Sequence, residues 1–359
     1  MKMNKTLILF MCLIALPWQV MAQQEPLRIA MMLPLQSNAT QRDQNMDRFV
    51  HYYLGALLAI NEVQRDFAPV ELHTYDVEKS TYKLMDVLER AELDSMDMII
   101  GPAYVSQVSI ASKWALEHQK RILFPFSSSV PGIENNPYVL QFNPSDDVSA
   151  MAMVNWMEQR RDSIHCILIE ASANEIPNSV KALQQQLLVT DIPCSFVTIK
   201  SILADSLNML LADNVENIIL FNTERYSNVR TLMPYLMRAA QGKKLTLLSQ
   251  YSWQGDAIAL PQVYSTVFRH EVDIDSFAYG AEYRYFYPNI KRVPSKPYYD
   301  LLGFDQMKYV LITALRLREH RDDDAITIPF MGLQSDMQFR QISPMGGYQN
   351  MNIHIVRTK

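Results

Sequence analysis

Two short apolar runs separated by one amphipathic helix, within residues 96–129, limit the folds open to this chain more than any other feature. The first run, residues 96–100, stops at Gly101 and Pro102, a pair that cannot continue a strand ladder. Residues 106–118 then place apolar side chains at mostly helical spacing, and residues 121–126 form the second run. This order predicts a βαβ unit with parallel strands, whose following loops open on the same edge of the sheet.

The loops after these two strands carry the first candidate binding residues. Tyr104 and Ser106 follow the first strand, and Ser127, Ser128 and Ser129 follow the second. Hydroxyl groups beside a helix N-terminus favour a small anionic or zwitterionic group, because the first backbone N–H groups of a helix have no partner within it. We therefore predict a ligand-binding edge formed by these five residues.

Strand and helix patterns also alternate before this unit. Residues 27–33 and 70–75 have the pattern of strands, and residues 48–63 and 82–93 that of amphipathic helices. Four strands with three intervening helices by residue 126 predict a doubly wound α/β domain.

The alternation restarts after Ser145, which is placed to cap a helix. The second series has predicted strands at 166–170, 194–199, 217–221 and 245–248 and predicted helices at 146–160, 178–189, 203–212 and 228–240. A late helix at 303–318 and a closing hairpin from 337–340 and 347–356 complete the chain. We predict two Rossmann-like lobes in tandem with a cleft between them, where ligands commonly bind.

Residues 1–22 have the pattern of a secretory signal peptide. Lys2 and Lys5 precede an apolar run of about ten residues, which is shorter than the roughly twenty of a membrane-spanning helix. A small residue, Ala22, stands at the predicted cleavage position, and Cys12 lacks the small residue expected before a lipid-modified cysteine. We expect a cleaved leader and a periplasmic protein that is not a lipoprotein.

Charge and motif content exclude several function classes. The formal net charge is −5 and no basic cluster occurs, which argues against a nucleic-acid partner. The nucleotide-binding patterns GxGxxG and GxxxxGKS/T are absent, and so are GxSxG, HExxH and CxxC. We expect no cofactor, no metal site and no enzymatic activity.

Cys166 and Cys194 are the two cysteines beyond the predicted leader. They lie near the starts of two consecutive predicted strands, which are side by side in this topology. A disulfide is geometrically possible if the strand register matches, and two free buried thiols are the alternative. The sequence leaves both states open.

Several strings, taken in order, resemble the type I periplasmic binding proteins, the family of the leucine/isoleucine/valine-binding protein. They are LGALLAIN (54–61), IIGP (99–102), FPFSSS (124–129), NPSD (143–146) and LGFD (302–305). More narrowly, SWQ (252–254), GLQSDMQF (332–339) and GGY (346–348) resemble a Bacteroidetes branch whose members often carry a LysM module. The resemblance covers nearly the whole mature chain, which itself contains no LysM module.

The resemblance implies that the chain crosses between the lobes three times. Lobe one would comprise residues 27–145 and 276–330, and lobe two residues 146–275 and 331–359. It also implies that the loops containing Tyr104, Ser106 and Ser127–Ser129 hold the carboxylate of an amino-acid ligand.

The second lobe departs from the amino-acid binders of this family. Where they have a Tyr-Gly turn after the first strand of that lobe, this chain has residues 171–175. An acidic side chain in the neighbouring loops can meet an ammonium group, and an aromatic face can stack on an apolar or cationic ligand. The candidates in lobe two are Asn174, Glu224, Tyr226, Tyr251 and Trp253.

Two functions follow from the resemblance. The first is a periplasmic solute-binding protein that closes its lobes over a small polar, amino-acid-like ligand and feeds an ABC transporter. The second is a non-enzymatic regulatory or interaction protein of the cell envelope, associated with peptidoglycan, that uses the same fold with a degenerate cleft. The expected ligand is an amino acid, a peptide or a cell-wall fragment, and the expected partner is an ABC permease or an envelope protein.

Overall fold

The structure, a computed structural model, divides the chain into two compact units. Unit 1 comprises Met1–Phe142, Glu271–Ser335 and Phe339–Tyr348, and unit 2 comprises Asn143–His270, Asp336–Gln338 and Gln349–Lys359. Within these bounds the described residues are 25–37, 46–170, 178–198, 208–221, 226–249, 263–267, 278–292, 297–320 and 324–357. In those ranges no helix has the length and apolar character needed to span a bilayer.

The first part of unit 1 alternates strands and helices. Its elements are β1 (Leu27–Leu33), α1 (Asp47–Asp66), β2 (Val70–Asp76), α2 (Thr81–Leu88), β3 (Met98–Ile100), α3 (Val105–His118), β4 (Ile122–Phe124) and β5 (Val139–Gln141). The hydroxyl of Ser80 accepts the backbone N–H of Lys83 and so caps α2.

Unit 2 continues the alternation. Its elements are α4 (Asp146–Glu158), β6 (Ile164–Glu170), α5 (Asn178–Leu188), β7 (Cys194–Thr198), β8 (Glu216–Phe221), α6 (Tyr226–Arg230), α7 (Met233–Ala239), β9 (Leu245–Ser249) and β10 (Val263–Val267). Ser145 caps α4 as predicted, because its hydroxyl accepts the N–H of Val148 at 3.3 Å.

The chain then returns to unit 1 before its last strand joins unit 2. The remaining elements are α8 (Ala278–Phe286), α9 (Tyr299–His320), α10 (Asp324–Thr327), β11 (Phe339–Gln341), β12 (Tyr348–Asn350) and β13 (His354–Arg357).

Unit 1 is built on a seven-stranded sheet in the order β11-β12-β5-β4-β3-β1-β2. The strands from β5 to β2 pair in parallel. Residues Ile29 to Leu33 of β1 are all fully buried, because helices cover both faces of the sheet. One face packs against α2 and α3, and α9 contacts β1 and β3.

Unit 2 is built on a six-stranded sheet in the order β13-β10-β9-β8-β6-β7. Its strands pair in parallel except β13, which is antiparallel to β10. One face packs against α6 and α7, and the other against α4 and α5. The predicted doubly wound α/β fold is therefore confirmed in each unit.

The structure differs from the sequence prediction at the C-terminal hairpin. Strands β11 and β12 pair as predicted, but they extend the sheet of unit 1 beside β5, whereas β13 joins unit 2. The resemblance implies that all of 331–359 belongs to lobe two. The two ends of this segment separate because they pair with the edges of different sheets. β12 pairs with the edge strand β5 of unit 1, and β13 pairs with the edge strand β10 of unit 2.

The other differences between prediction and structure concern the bounds of two helices and two additional strands. The predicted helix 82–93 ends at Leu88 and continues as a 3₁₀ turn, Ala91–Ser95. The predicted helix 228–240 is divided into α6 and α7, with Pro234 in the first turn of α7, where proline needs no N–H partner. Strands β5 and β10 were not predicted, and part of the predicted helix 203–212 lies outside the described residues.

Candidate functional site

The strand order of unit 1 creates a topological switch point between β1 and β3. β2 pairs with one side of β1 and β3 with the other, so the connections after β1 and β3 leave in opposite directions. In open α/β sheets, ligands bind in the crevice outside the carboxyl ends of the strands at such a point. Gly101 follows β3 there with φ +102°, and a Cβ on it would lie 2.1 Å from the carbonyl oxygen of Met32 in β1.

The structure places Tyr104 and Ser106 directly after this switch point. Tyr104 is half-buried and is the N-cap residue of α3, but its side chain makes no capping hydrogen bond. Ser106 is exposed in the first turn of the same helix. The start of α3 therefore presents backbone N–H groups without a side-chain cap beside an exposed hydroxyl, an arrangement that favours a negative charge.

The three serines after β4 have different environments. Ser127 is 5 % exposed, and its hydroxyl donates to the carbonyl oxygen of Ser129 at 2.5 Å and accepts the N–H of Ser129 at 3.3 Å. Ser128 and Ser129 are exposed. The hydroxyl of Ser127 thus shapes its own loop, and Ser128 and Ser129 are the serines here that offer exposed side chains.

A cluster of aromatic rings lies on one side of Tyr104 at this end of unit 1. The ring centroid of Phe49 in α1 lies 6.0 Å from that of Tyr104 and 5.5 Å from that of Phe126. The ring of Tyr299, in the first turn of α9, is 5.9 Å from Phe126 and 6.3 Å from Phe49. This cluster of four rings, called the ring cluster below, provides an apolar wall next to the polar start of α3.

Two cations that the sequence analysis missed lie against the ring cluster. The Arg48 guanidinium is 4.8 Å from the ring centroid of Phe49 and 5.8 Å from that of Tyr299, and the Lys79 ammonium is 5.3 Å from that of Tyr104. The Nε atom of Arg48 is buried without a hydrogen-bond partner among the described residues. A basic residue in the first turn of a helix opposes the helix dipole, and this is the sequence signal that could have identified Arg48.

Buried glutamines hold the site loops in place. Gln107 of α3 is fully buried, and its Nε2 donates to the carbonyl oxygens of Val77, Glu78 and Ser80, which lie in the loop before α2. Gln306 of α9 is also fully buried and donates to the carbonyl oxygen of Pro125 at 3.2 Å.

A third glutamine, Gln141 of β5, donates to the carbonyl oxygen of Ser128 at 3.0 Å. Together the glutamines fix the loops after β2 and β4 relative to the helices, so the exposed hydroxyls keep a defined position.

Asp76, the last residue of β2, fixes the start of the loop after β1. Its carboxylate accepts the N–H of Leu35 at 2.9 Å and both the N–H and the hydroxyl of Ser37, at 2.6 and 2.8 Å. Burial alone would raise the pKa of this carboxyl, but the donors from residues 36, 37 and 78 outweigh it and lower the pKa below its ordinary value. Asp76 is therefore ionised, and its carboxylate holds the loop after β1 in place by accepting these hydrogen bonds.

Unit 2 has its own switch point between β6 and β8, which pair in parallel with Ile169 opposite Phe221. The lobe-two candidates Asn174, Glu224, Tyr251 and Trp253 lie outside the described residues, and so does the side chain of Tyr226, whose backbone begins α6. These five residues remain predictions. In the described part of the chain, no group of three or more His, Cys, Asp or Glu side chains is arranged to hold a metal ion.

Comparison with known proteins identifies the fold. An ABC transporter substrate-binding protein of Desulfitobacterium hafniense, solved in complex with Leu, has a TM-score of 0.55 and 16 % identity, covering 93 % of this chain and 98 % of that one. A Rhodospirillum rubrum protein assigned to branched-chain amino acid ABC transport has a TM-score of 0.66 and 13 % identity, covering 93 % and 97 %. An ABC-type branched-chain amino acid transporter protein of Rhodopseudomonas palustris has a TM-score of 0.60 and 15 % identity, covering 93 % and 92 %.

Sequence comparisons add nothing to these structural ones. No family model matches the chain, and no curated protein matches it. The three structures nevertheless extend over nearly all of this chain and over nearly all of their own length. The chain has the fold of the type I periplasmic binding proteins, as its local strings predicted.

Proposed function

We propose that this chain is a solute-binding protein that holds a small ligand with a carboxylate group, such as an amino acid, at the carboxyl edge of the unit 1 sheet. The observation that carries the proposal is the setting of Tyr104. It stands at the switch point beside the start of α3, with Lys79 against its ring and Arg48 against the same ring cluster.

Each part of this setting has a role in binding. The uncapped N–H groups at the start of α3 and the hydroxyl of Ser106 can donate to a carboxylate, and Arg48 and Lys79 supply positive charge. The ring cluster excludes water from one side, which strengthens these interactions, and offers an apolar surface to the ligand's side chain. Structural neighbours named for amino-acid ABC transport support the ligand class.

The same proposal extends to location and partner. The proposed partner is an ABC permease, because structural neighbours are named for ABC transport. The proposed location is the periplasm, because residues 1–22 have the pattern of an export signal. Asn174, Glu224, Tyr226, Tyr251 and Trp253 are the proposed ligand-binding residues of unit 2. Binding, and not chemistry, is the proposed activity.

One observation favours the second function, a regulatory envelope protein with a degenerate cleft. The hydroxyl of Ser127, a proposed carboxylate donor, is buried and bound within its own loop. A site whose hydroxyl groups are all hydrogen-bonded within the protein in this way offers no donors to a solute. The fold would then bind another protein through its surface.

Thermal unfolding with a ligand panel separates the two functions. The panel contains the amino acids, short peptides and soluble peptidoglycan fragments. A true ligand at a hundred times its dissociation constant adds about 2.7 kcal/mol to the free energy of unfolding. Tyr104→Ala should abolish the shift, whereas Tyr285→Ala, at an exposed position of α8, should leave it unchanged. No shift with any member of the panel would overturn the solute-binding proposal and leave the regulatory one.

A further inference from the structure

The two thiols of unit 2 lie next to each other on adjacent strands. Cys166 of β6 and Cys194 of β7 are direct partners in the parallel register, and their Sγ atoms are 3.2 Å apart. Both sulfurs are free thiols in this structure. Adjacent strands are about 4.8 Å apart, which falls within the Cα–Cα range that a disulfide spans.

The strand register shows that Cys166 and Cys194 are close enough for a disulfide, which the sequence alone left open. A shift of one residue would turn one of the two side chains to the opposite face of the sheet. In the observed register both face α4 and α5, where Cys166 belongs to the apolar core and Cys194 packs against it. Closing the bond requires the sulfurs to approach by only about 1 Å, because a disulfide S–S bond is close to 2.05 Å long.

We propose that Cys166 and Cys194 form an oxidation site that closes a cross-strand disulfide in unit 2. The bond would join β6 to β7, the edge strand of the described sheet, and close a loop that contains α5. This site does not depend on the proposed ligand-binding function, since none of the ligand-site residues contributes to it.

The two cysteines have unequal access, which sets the order of the reaction. Cys166 is fully buried, whereas Cys194 is half-buried on the edge strand. The neighbouring Cys166 thiol, more than the opposing effect of burial, lowers the pKa of Cys194, whereas the same contact and burial raise the pKa of Cys166. Cys194 is therefore the thiol that an oxidant meets first, and it ionises more readily than Cys166.

The chemistry is thiol–disulfide exchange with a small-molecule or protein disulfide as the oxidant. The Cys194 thiolate attacks one sulfur of that disulfide, breaks its S–S bond and forms a mixed disulfide, and the displaced thiolate takes up a proton. The Cys166 thiol then loses its proton and attacks Sγ of Cys194, displacing the second thiolate. Two electrons pass from the cysteine pair to the oxidant, which leaves as two thiols.

The test uses the full chain incubated with excess oxidised glutathione and, in parallel, with dithiothreitol. Trypsin cleavage after Arg161, Lys181 and Lys200 puts the two cysteines on separate peptides, so one non-reduced mass identifies the linked pair. We expect these two peptides linked in the oxidised sample and separate in the reduced one. We also expect the midpoint of thermal unfolding to rise by roughly 5 °C or more on oxidation.

Single variants test the order of attack. In Cys166→Ala, we expect a glutathione adduct to accumulate on Cys194, because the resolving thiol is missing. In Cys194→Ser, we expect Cys166 to stay unmodified, since it is buried. The proposal is overturned if both thiols of the wild-type chain can still be alkylated after oxidation, or if only intermolecular bonds form.

Discussion

Gly55 of α1 and Gly303 of α9 face each other's helix at the place where the two helices cross, and neither position has room for a side chain. A Cβ on Gly55 would lie 1.8 Å from the carbonyl oxygen of Asp300, and a Cβ on Gly303 would lie 1.9 Å from that of Tyr52. Two helices can approach this closely only where no side chain stands between their backbones. The crossing places Tyr299 of α9 against Phe49 of α1 and so assembles half of the ring cluster.

Gly303→Ala should destabilise unit 1 by about 3 kcal/mol or more, because the added methyl forces the helices apart in a packed core. This loss would oppose the higher helix propensity of alanine, which is worth up to about 1 kcal/mol at an exposed site. Urea denaturation measures the change. Gly132→Ala is the control, since Gly132 has a positive φ of +76° but open space around it and should lose only about 1 kcal/mol. Equal losses in the two variants would show that the close approach has no energetic weight.

Arg48→Gln should weaken binding of a carboxylate ligand about tenfold, which corresponds to about 1.4 kcal/mol. The reason is that Arg48 supplies charge at the start of α1 beside the ring cluster. Isothermal titration with the ligand found in the panel measures the change. Arg28→Gln is the control, because Arg28 lies at the opposite end of β1, where it pairs with Glu71, and should keep the wild-type affinity. Equal affinities of both variants would place the carboxylate elsewhere.

The stability of unit 1 should fall as the pH drops below about 6.5, and His51 should cause part of this fall. His51 is buried, and its Nδ1 is 3.0 Å from the hydroxyl of Tyr283. Burial lowers the pKa of His51 below its ordinary value although the carboxylates of Asp300 and Asp47 act to raise it, and Arg292 lowers it further.

The direction of this pH dependence follows from the number of protons that the folded and unfolded chains bind. Between pH 6.5 and the lower pKa of folded His51, the unfolded chain binds a proton that the folded chain does not, so the free energy of unfolding decreases by at most about 1.4 kcal/mol per pH unit. His51→Gln should flatten this part of the profile. Denaturation at pH 7.5, 6.5 and 5.5 measures the slopes, and the same slope in both proteins would assign the pH dependence to other groups.

Asp305→Asn should destabilise unit 1 by about 2 to 3 kcal/mol. The Asp305 carboxylate is fully buried and accepts the backbone N–H groups of Leu333, Gln334 and Ser335 at 2.7, 2.8 and 2.9 Å. An amide in its place turns an NH₂ group toward one or more of these donors, which then lose a charged acceptor.

Two measurements check the Asp305 prediction. Chemical denaturation gives the loss of stability, and hydrogen exchange should become faster at the amides of residues 333–335. Asp66→Asn, at an exposed position where the side chain pairs with exposed Arg65, should change stability by less than about 0.5 kcal/mol. Unchanged exchange at residues 333–335 would contradict the role given to the Asp305 carboxylate.

Local patterns identified many elements and one side of the candidate site. Buried strands such as Leu27–Leu33 are continuous apolar runs, and the cap at Ser145 depends on neighbours only three residues away. Tyr104 and Ser106 could be chosen because a residue that follows a parallel strand must lie at the carboxyl edge of the sheet. The same rule selected Ser127, but it could not reveal that this hydroxyl bonds to its own loop.

The sequence by itself determined the alternation of strands and helices, the doubly wound class and the edge at which the loops open, since these depend on periodicity and on near neighbours. Only the tertiary structure decided which distant residues and strands contact each other. It placed Arg48 and Lys79 against the ring cluster, divided the C-terminal strands between two sheets and set Cys166 opposite Cys194. Such pairings join residues far apart in the chain, and their register and packing depend on the whole folded unit, which no local pattern encodes.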